Sequence, residues 1–320
     1  MWTMQGYELM QRLPQVRGRY TAHFPLSKVT WFQVGGPAEV LFKPADVQDL
    51  IFFMQEKPAD IPVNIIGVGS NLLVRDGGVP GVTIRLGRGF TNIAVYNEGE
   101  TPYVDVGAAV LDRTVAFVAK DEGVGGLEFL VGVPGTMGGA VKMNAGCYGG
   151  DMASILESVL VVDKSGLRRI SADALGLSYR HSALPEGALV VGMRLKGVRA
   201  DSEEIGKRLE ELLSQRESTQ PIRSRTGGST FANPETARAW ELIDQAGCRG
   251  LQIGGAQVST MHCNFLINTG SATATDLETL GEEVRARVRA TSGIELRWEI
   301  QRWGHQAHAV LPEETGAKAA

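Results

Sequence analysis

The stretch "EFLVGVPGTMGGAVKMNAGCYGGD", residues 128–151, holds seven glycines and only three charged side chains, Glu128, Lys142 and Asp151. Glycine loses more conformational freedom on folding than any other residue, so this run works against regular structure. Bare backbone of this kind suits a place that another molecule has to approach closely. A second glycine-rich loop, "GVGSN" at residues 67–71, ends the apolar, β-branched run "IPVNIIGVG". Neither loop is a dinucleotide fingerprint: Leu72 stands where the first would need its last glycine, and Pro134 where the second needs its middle one. No GK[ST] follows a glycine loop, which excludes a Walker A site. What survives is main-chain chemistry. Successive N–H groups in such turns form concave nests for phosphate oxygens, with Ser70, Asn71 and Thr136 adding side-chain donors. Tight turns and bulges explain one such loop equally well; two in one half of the chain favour a diphosphate held between them.

The segments around the loops read as α+β. "AEVLFKP" is a strand, "ADVQDLIFFMQEK" a helix with Val47, Leu50, Ile51 and Met54 on one face, and "IPVNIIGVG" a second strand parallel to the first. Hairpins are expected to turn at residues 97–99 and 164–166, with the helix "LDRTVAFVAKDEG" between them and the strand "GALVVGMRLKG" after them. The character then changes. "ADSEEIGKRLEELLSQRES" is a charged amphipathic helix burying Ile205, Leu209, Leu212 and Leu213, capped by Asp201 or Ser202, and a domain boundary is placed near residues 198–202. Helices "PETARAWELIDQAG" and "ATDLETLGEEVRARVRATSG", the latter burying Leu277, Leu280, Val284 and Val288, alternate with strands in "LQIGGAQVS", "HCNFLINTG" and "IELRWEIQRWG".

Composition narrows the function classes. A chain of 320 residues with net charge −4 has room for two or three domains and lacks the cationic surplus of a nucleic-acid binder. Cys147, Cys248 and Cys263 form no CxxC pair and read as reduced, buried thiols of a cytoplasmic protein. No run of eighteen apolar residues and no basic start followed by an apolar core occurs, so neither a membrane span nor a signal peptide is expected. His181, His262, His305 and His308 show no metal-ligand spacing, and no metal is assigned.

"GVGSNLLVRD", "GLEFLVGVPGTMGGAVKMNAGCYGGD", "SYRHS", "TGGSTFANP" and "GIELRWEIQRWG" occur in this order across residues 25–304. Together they resemble the UDP-N-acetylenolpyruvoylglucosamine reductase family, in its shorter type II branch, because only "ALPEGAL" separates Ser182 from Val190 where another branch inserts a tyrosine-bearing loop. The resemblance implies an N-terminal extension (1–24), an FAD-binding unit of the vanillyl-alcohol-oxidase (PCMH) type (25–198, subdomains 25–88 and 89–198), a substrate-binding α+β domain (199–304) and a flexible tail (305–320). It implies FAD, bound without a covalent link since neither loop holds a histidine, along Gly67, Gly69, Ser70, Asn71, Gly132, Val133, Pro134, Gly135, Thr136, Gly138, Gly139, Ala140, Asn144 and Gly146. It further implies NADPH as reductant and UDP-N-acetylglucosamine enolpyruvate as substrate, with no need of an oligomer.

Three residues match the family's catalytic positions. Arg180 is the guanidinium for the substrate carboxylate, Ser229 the proton donor to the carbanionic carbon, and Glu299 the catalytic glutamate, here in "LRWE" where the family often has "LEPE". Gln220, Asn233, Tyr179 and Arg225 lie where the family contacts the UDP-sugar. Glu299, between Trp298 and Ile300 on an extended segment, is expected to face away from both. Two other readings stand beside this one. A hydroxy-acid or sugar-lactone oxidase of the same fold would share the flavin loops but has no use for "GGSTFANP". A non-catalytic nucleotide-sugar-binding protein would purify colourless and refuse FAD.

Overall fold

In the computed structural model, which describes residues 2–307, the βαβ unit forms around a third strand. Strands Pro37–Lys43 and Val63–Ile66 both run parallel to Val79–Arg85, which lies between them, and Arg19–Pro25 pairs antiparallel on the far side of Pro37–Lys43. The connecting helix Val47–Glu56 is capped by Asp46, whose carboxylate accepts from the Asp49 N–H. It buries Leu50, Phe53 and Met54 against this sheet and against Val162, Leu189 and Val191 of the next one, so the helix is packed from both sides. The first 24 residues are more than an extension. Helix Trp2–Arg12 seats Leu9 in the same core, and residues 19–25 supply the edge strand. No residue of that strand is fully buried, so its sequence carries no alternation to betray it.

The second sheet is antiparallel throughout, in the order Gly166–Ser171, Leu156–Asp163, Leu189–Lys196, Thr101–Gly107, Ile93–Glu98. Its hairpins turn at residues 164–165 and at residues 99–100, the latter displaced toward the glycine that has φ 63°. Helix Asp112–Asp121 and the glycine-rich segment 128–142 pack on one face. Helix Ser202–Thr219, capped by Asp201, packs there too: Ile205, Leu209 and Leu212 belong to the core of Val115, Leu127 and Leu195. The expected boundary at 198–202 therefore precedes a helix that belongs to the preceding core. The rise in charge at residue 201 marks a helix with one face in solvent, not the start of a new core.

Beyond residue 220 a third core forms around helix Ala274–Ser292, which buries Leu277, Leu280, Val284 and Val288 against the antiparallel sheet Arg225–Ser229, Phe265–Asn268, Ala256–Val258, Gln252–Ile253. Thr273 and Asp276 close a capping box at its start, and Gly293 at φ 74° ends it. Helix Ala239–Gln245 is shorter than its periodicity suggests, because Asn233 folds residues 233–238 into a turn by accepting from the Ala239 N–H at 2.9 Å.

Two devices join the third unit to the first. Asp76 accepts from the main-chain N–H groups of Ala274 (3.0 Å) and Thr275 (2.9 Å), capping the long helix from outside its own unit. The terminal strand Gln301–Trp303 returns to pair in parallel with Leu72–Val74, directly after the first glycine loop. The tail lies outside the described residues from 308 onward, as does His308.

Candidate active site

The strand pairing just described decides the position of Glu299. Gln301 N–H donates to the Asn71 carbonyl at 3.1 Å, and the Asn71 side-chain amide donates back to the Glu299 carbonyl at 3.4 Å. The first glycine loop and the last segment of the chain thus share one wall. Trp298 turns inward against Phe231, and Ile300 is buried, which leaves Glu299 on the opposite side, as alternation requires.

Ser229 arrives through a defect in its strand. Thr226 pairs with Ile267, but Ser229 pairs with Phe265, so the strand holds one residue more than its partner, and Gly228 takes up the excess at φ 79°. A β-bulge of this kind re-aims the side chain that follows it. The next residue, Thr230, accepts the Glu299 N–H at 2.8 Å through its carbonyl, locking Ser229 and Glu299 into adjacent turns of backbone.

Arg180 sits at the corner of a tight turn in which Ser178 and His181 exchange main-chain hydrogen bonds, and its φ is 57°. A non-glycine residue in that region is held there by its surroundings. Its Nε donates to Glu299 Oε1 at 2.6 Å and its Nη1 to the Gly146 carbonyl at 3.1 Å. Burial pushes the Glu299 carboxyl above its usual range, and Arg180 pulls it back only in part.

One cleft of about 280 Å³, open at its mouth, connects these groups to both glycine loops. Gly67, Gly69, Ser70 and Asn71 line it from one side; Gly132, Val133, Pro134, Gly135, Thr136, Gly139, Ala140 and Gly146 line it from the other; Arg180, Gln220, Ser229 and Glu299 stand along it. The remaining candidates lie elsewhere. Gly138 is packed against Ala108, and Asn144 is buried, donating to the Ser178 carbonyl and accepting from the Ala153 N–H. Asn233 is exposed and uses its side-chain oxygen in the Ala239 turn. Tyr179 is exposed with the Arg180 guanidinium 5.1 Å from its ring centre, and Arg225 is exposed at the start of its strand.

Several lining residues escaped the reading of the sequence. Gln301 and Trp303 follow Glu299 at spacing two, and the same alternation that orients Glu299 would have found them. Asp112 shares the buried stripe of its helix with Val115, Ala116 and Ala119, and a carboxyl on an apolar stripe was the signal. Cys147 borders the cleft, with burial pushing its thiol up to about 11. The Gln220 amide oxygen accepts from Arg216 Nε at 3.4 Å, a contact that nothing in "TQP" announces.

The walls of the cleft offer donors for an anion. The main-chain N–H groups of Val68, Gly69, Ser70, Asn71 and Thr136 donate to no acceptor among the described residues. A Cβ on Gly67 would meet the Thr136 hydroxyl, and one on Gly135 would come within 2.7 Å of Asp112 Oδ2. Free donors around a groove that side chains would fill suit a dinucleotide's diphosphate. Among the described residues no three His, Cys, Asp or Glu side chains gather as a metal site, and no helix is long and apolar enough to cross a membrane.

Comparison with known proteins decides the family. Residues 220–303 match the family model "UDP-N-acetylenolpyruvoylglucosamine reductase, C-terminal domain", and residues 38–171 match "FAD binding domain". The chain is 57% identical over 314 residues to the UDP-N-acetylenolpyruvoylglucosamine reductase of Rhodospirillum rubrum, covering 96% of this chain and 97% of that one. The chain belongs to the UDP-N-acetylenolpyruvoylglucosamine reductase family. The reductase of Parvibaculum lavamentivorans is 54% identical over 297 residues, covering 92% of this chain and 94% of the relative. The crystal structure of the reductase from Thermus caldophilus superposes with TM-score 0.77 at 36% identity, covering 91% of this chain and all of that one. An FAD-binding domain precedes the reductase's own C-terminal domain in this chain, and the mixed helix and strand content agrees with the α+β expectation.

Proposed function

We propose that the cleft reduces UDP-N-acetylglucosamine enolpyruvate to UDP-N-acetylmuramate, a step of peptidoglycan precursor synthesis in the cytoplasm, with Arg180, Ser229 and Glu299 performing the protein's part. The observation that carries this reading is the convergence of those three side chains, from segments far apart in sequence, on the cleft that both glycine loops line.

The chemistry that bound FAD supplies is hydride transfer from NADPH to the terminal carbon of the enolpyruvyl double bond. Both glycine loops would hold the diphosphate by main-chain amides, so that no lysine or arginine would be needed there. As hydride arrives, negative charge develops on the neighbouring carbon and its carboxylate. Arg180 meets that charge. Its Nε and Nη1 each hold a protein contact, which leaves Nη2 available to a substrate carboxylate, and a fixed cation in a partly desolvated site stabilises developing charge strongly. Glu299 orients the guanidinium and keeps its Nε occupied. Ser229 lines the cleft, and its hydroxyl gives its proton to the carbanionic carbon. Gln220, held by Arg216, offers its amide N–H groups to the sugar nucleotide. One chain supplies every group named.

A visible absorbance spectrum tests the reading. NADPH added without oxygen bleaches the flavin, and the enolpyruvyl sugar nucleotide then restores the colour with formation of UDP-N-acetylmuramate. Bleaching by lactate or a sugar lactone instead would overturn it in favour of an oxidase.

A further inference from the structure

Asp112 is fully buried, lines the cleft, and neither of its carboxyl oxygens has a hydrogen-bond partner. An unpaired buried carboxylate is among the costliest groups a fold can carry. Its place at the start of helix Asp112–Asp121 does not account for it, because the Thr114 and Val115 N–H groups donate to the Leu111 carbonyl and neither carboxyl oxygen accepts from the first turn. The carboxyl points instead to where the two glycine loops meet. The position a Gly135 Cβ would occupy lies 2.7 Å from Asp112 Oδ2 and 3.9 Å from the Ser70 hydroxyl oxygen. The residues whose N–H groups are unpaired, 68–71 and Thr136, line the same cleft, and free main-chain donors of this kind suit an anion. A charged carboxylate there would repel a phosphate. Burial drives the Asp112 carboxyl well above its usual range, and the nearby Gly135 N–H opposes this without reaching hydrogen-bond geometry; no cation does so.

We propose that Asp112 is a neutral carboxylic acid that donates its proton to a phosphate oxygen of the bound flavin dinucleotide, a binding residue additional to the main-chain cradle. The assignment rests on the FAD reading given above. It explains why an acid is tolerated in an anion site: protonated, it is one more donor. A Cβ at position 135 would come within 2.7 Å of Asp112 Oδ2, so a side chain there would press on the acid.

The test compares the full chain, stripped of flavin and refilled, as wild type, Asp112→Asn and Asp112→Leu, with affinity read from flavin fluorescence for FAD and for riboflavin, which lacks phosphate. Asparagine keeps a neutral donor of the same shape, so FAD affinity stays within about threefold, whereas leucine loses a hydrogen bond to a charged group, about tenfold or more. Riboflavin binds all three proteins alike. Equal FAD affinity of the leucine variant overturns the proposal. So does an asparagine variant as weak as leucine, which would mean an ionised carboxylate accepting from the ligand, and so does an equal loss for riboflavin, which would place the contact away from phosphate. Where leucine does not fold, Asp112→Ala takes its place, and loss of FAD by Asp112→Asn still overturns the proposal. Failure of the wild type to bind FAD would sink the functional reading itself, a distinct result.

Discussion

Arg180 Nε donates to Glu299 Oε1 at 2.6 Å, a contact between residues 119 positions apart that both line the cleft. With Nε held there and Nη1 on the Gly146 carbonyl, the guanidinium is fixed in plane and orientation. A lysine in its place keeps the charge but cannot hold two protein contacts and a substrate carboxylate together. Arg180→Lys is expected to be bleached by NADPH at close to the wild-type rate. The following oxidation by the enolpyruvyl sugar should slow by about a hundredfold, the usual cost of one fixed charge-stabilising donor. Rapid-mixing absorbance measures the two halves separately, and an unchanged second half removes Arg180 from the carboxylate.

Ser229 depends on the bulge that precedes it, and two substitutions separate the group from its placement. Ser229→Ala should bleach normally and fail to return hydride, losing about a hundredfold or more in turnover, as expected for a missing proton donor. Gly228→Ala leaves the hydroxyl but forces an L-residue to φ 79°, where the added Cβ meets open space, its nearest neighbour being the Ser70 carbonyl at 3.9 Å. Strain alone then costs about 1–2 kcal/mol, visible in thermal unfolding. Turnover should fall further than that stability change explains, because the chain relieves the strain by flattening the bulge and turning Ser229 away. Turnover at the wild-type level with a lowered unfolding temperature would mean that the bulge does not aim the serine.

Much of this was legible from residues alone where local physics and packing agree. The stripe of Leu277, Leu280, Val284 and Val288 sits at helical spacing, and all four are buried. The parallel strands on either side of Val47–Glu56 follow from one helical crossover. What could not be read were features set by distant partners. Asn233 reads as a ligand contact in "FANP", yet its carbonyl oxygen is used to fold the residues before Ala239. Asn71 lines the cleft, while its amide reaches a carbonyl 228 residues away. The start of the third core is similarly hidden, because helix Ser202–Thr219 has the charge of a new beginning and the packing of an old one.

The two glycine loops touch at Gly67 and Thr136, and this contact can be measured as a coupling. Gly67 needs no left-handed backbone; alanine is barred there only by the Thr136 hydroxyl. Gly67→Ala should therefore push the loops apart and weaken FAD, Thr136→Ala should weaken it modestly by loss of a donor, and the double variant should recover part of the first loss. For neighbours in contact a coupling of about 1 kcal/mol in FAD affinity is expected. Strictly additive losses, measured by fluorescence titration of the four proteins, would show that the loops do not constrain one another.

Two buried glutamates should answer acid in opposite directions. Glu278 accepts from Arg75 through both oxygens, at 2.9 and 2.8 Å, and from Arg302 at 2.9 Å, joining the long helix to the strand pair behind the cleft. Those contacts, the Arg75 hydrogen bonds first, hold its carboxyl below the usual range despite burial. A folded-state value below the unfolded one gives stability that is present above the unfolded value and is lost as pH falls through the folded one. Glu299 has the reverse sign: burial raises it, so its favourable contribution is complete below the ordinary glutamate range and is lost as pH rises through its folded value. Urea unfolding of wild type, Glu278→Gln and Glu299→Gln at about pH 7.5 and about pH 4.5 reads both. Near neutrality Glu278→Gln should cost about 2–3 kcal/mol, since it leaves two guanidinium groups short of a charged partner, and the deficit should shrink in acid. Acidification should instead move the comparison with Glu299→Gln in favour of wild type. If both gaps shift the same way, the balance between burial and Arg180 at Glu299 has been assigned the wrong sign, and its carboxylate is held ionised by the guanidinium as firmly as Glu278 is by Arg75.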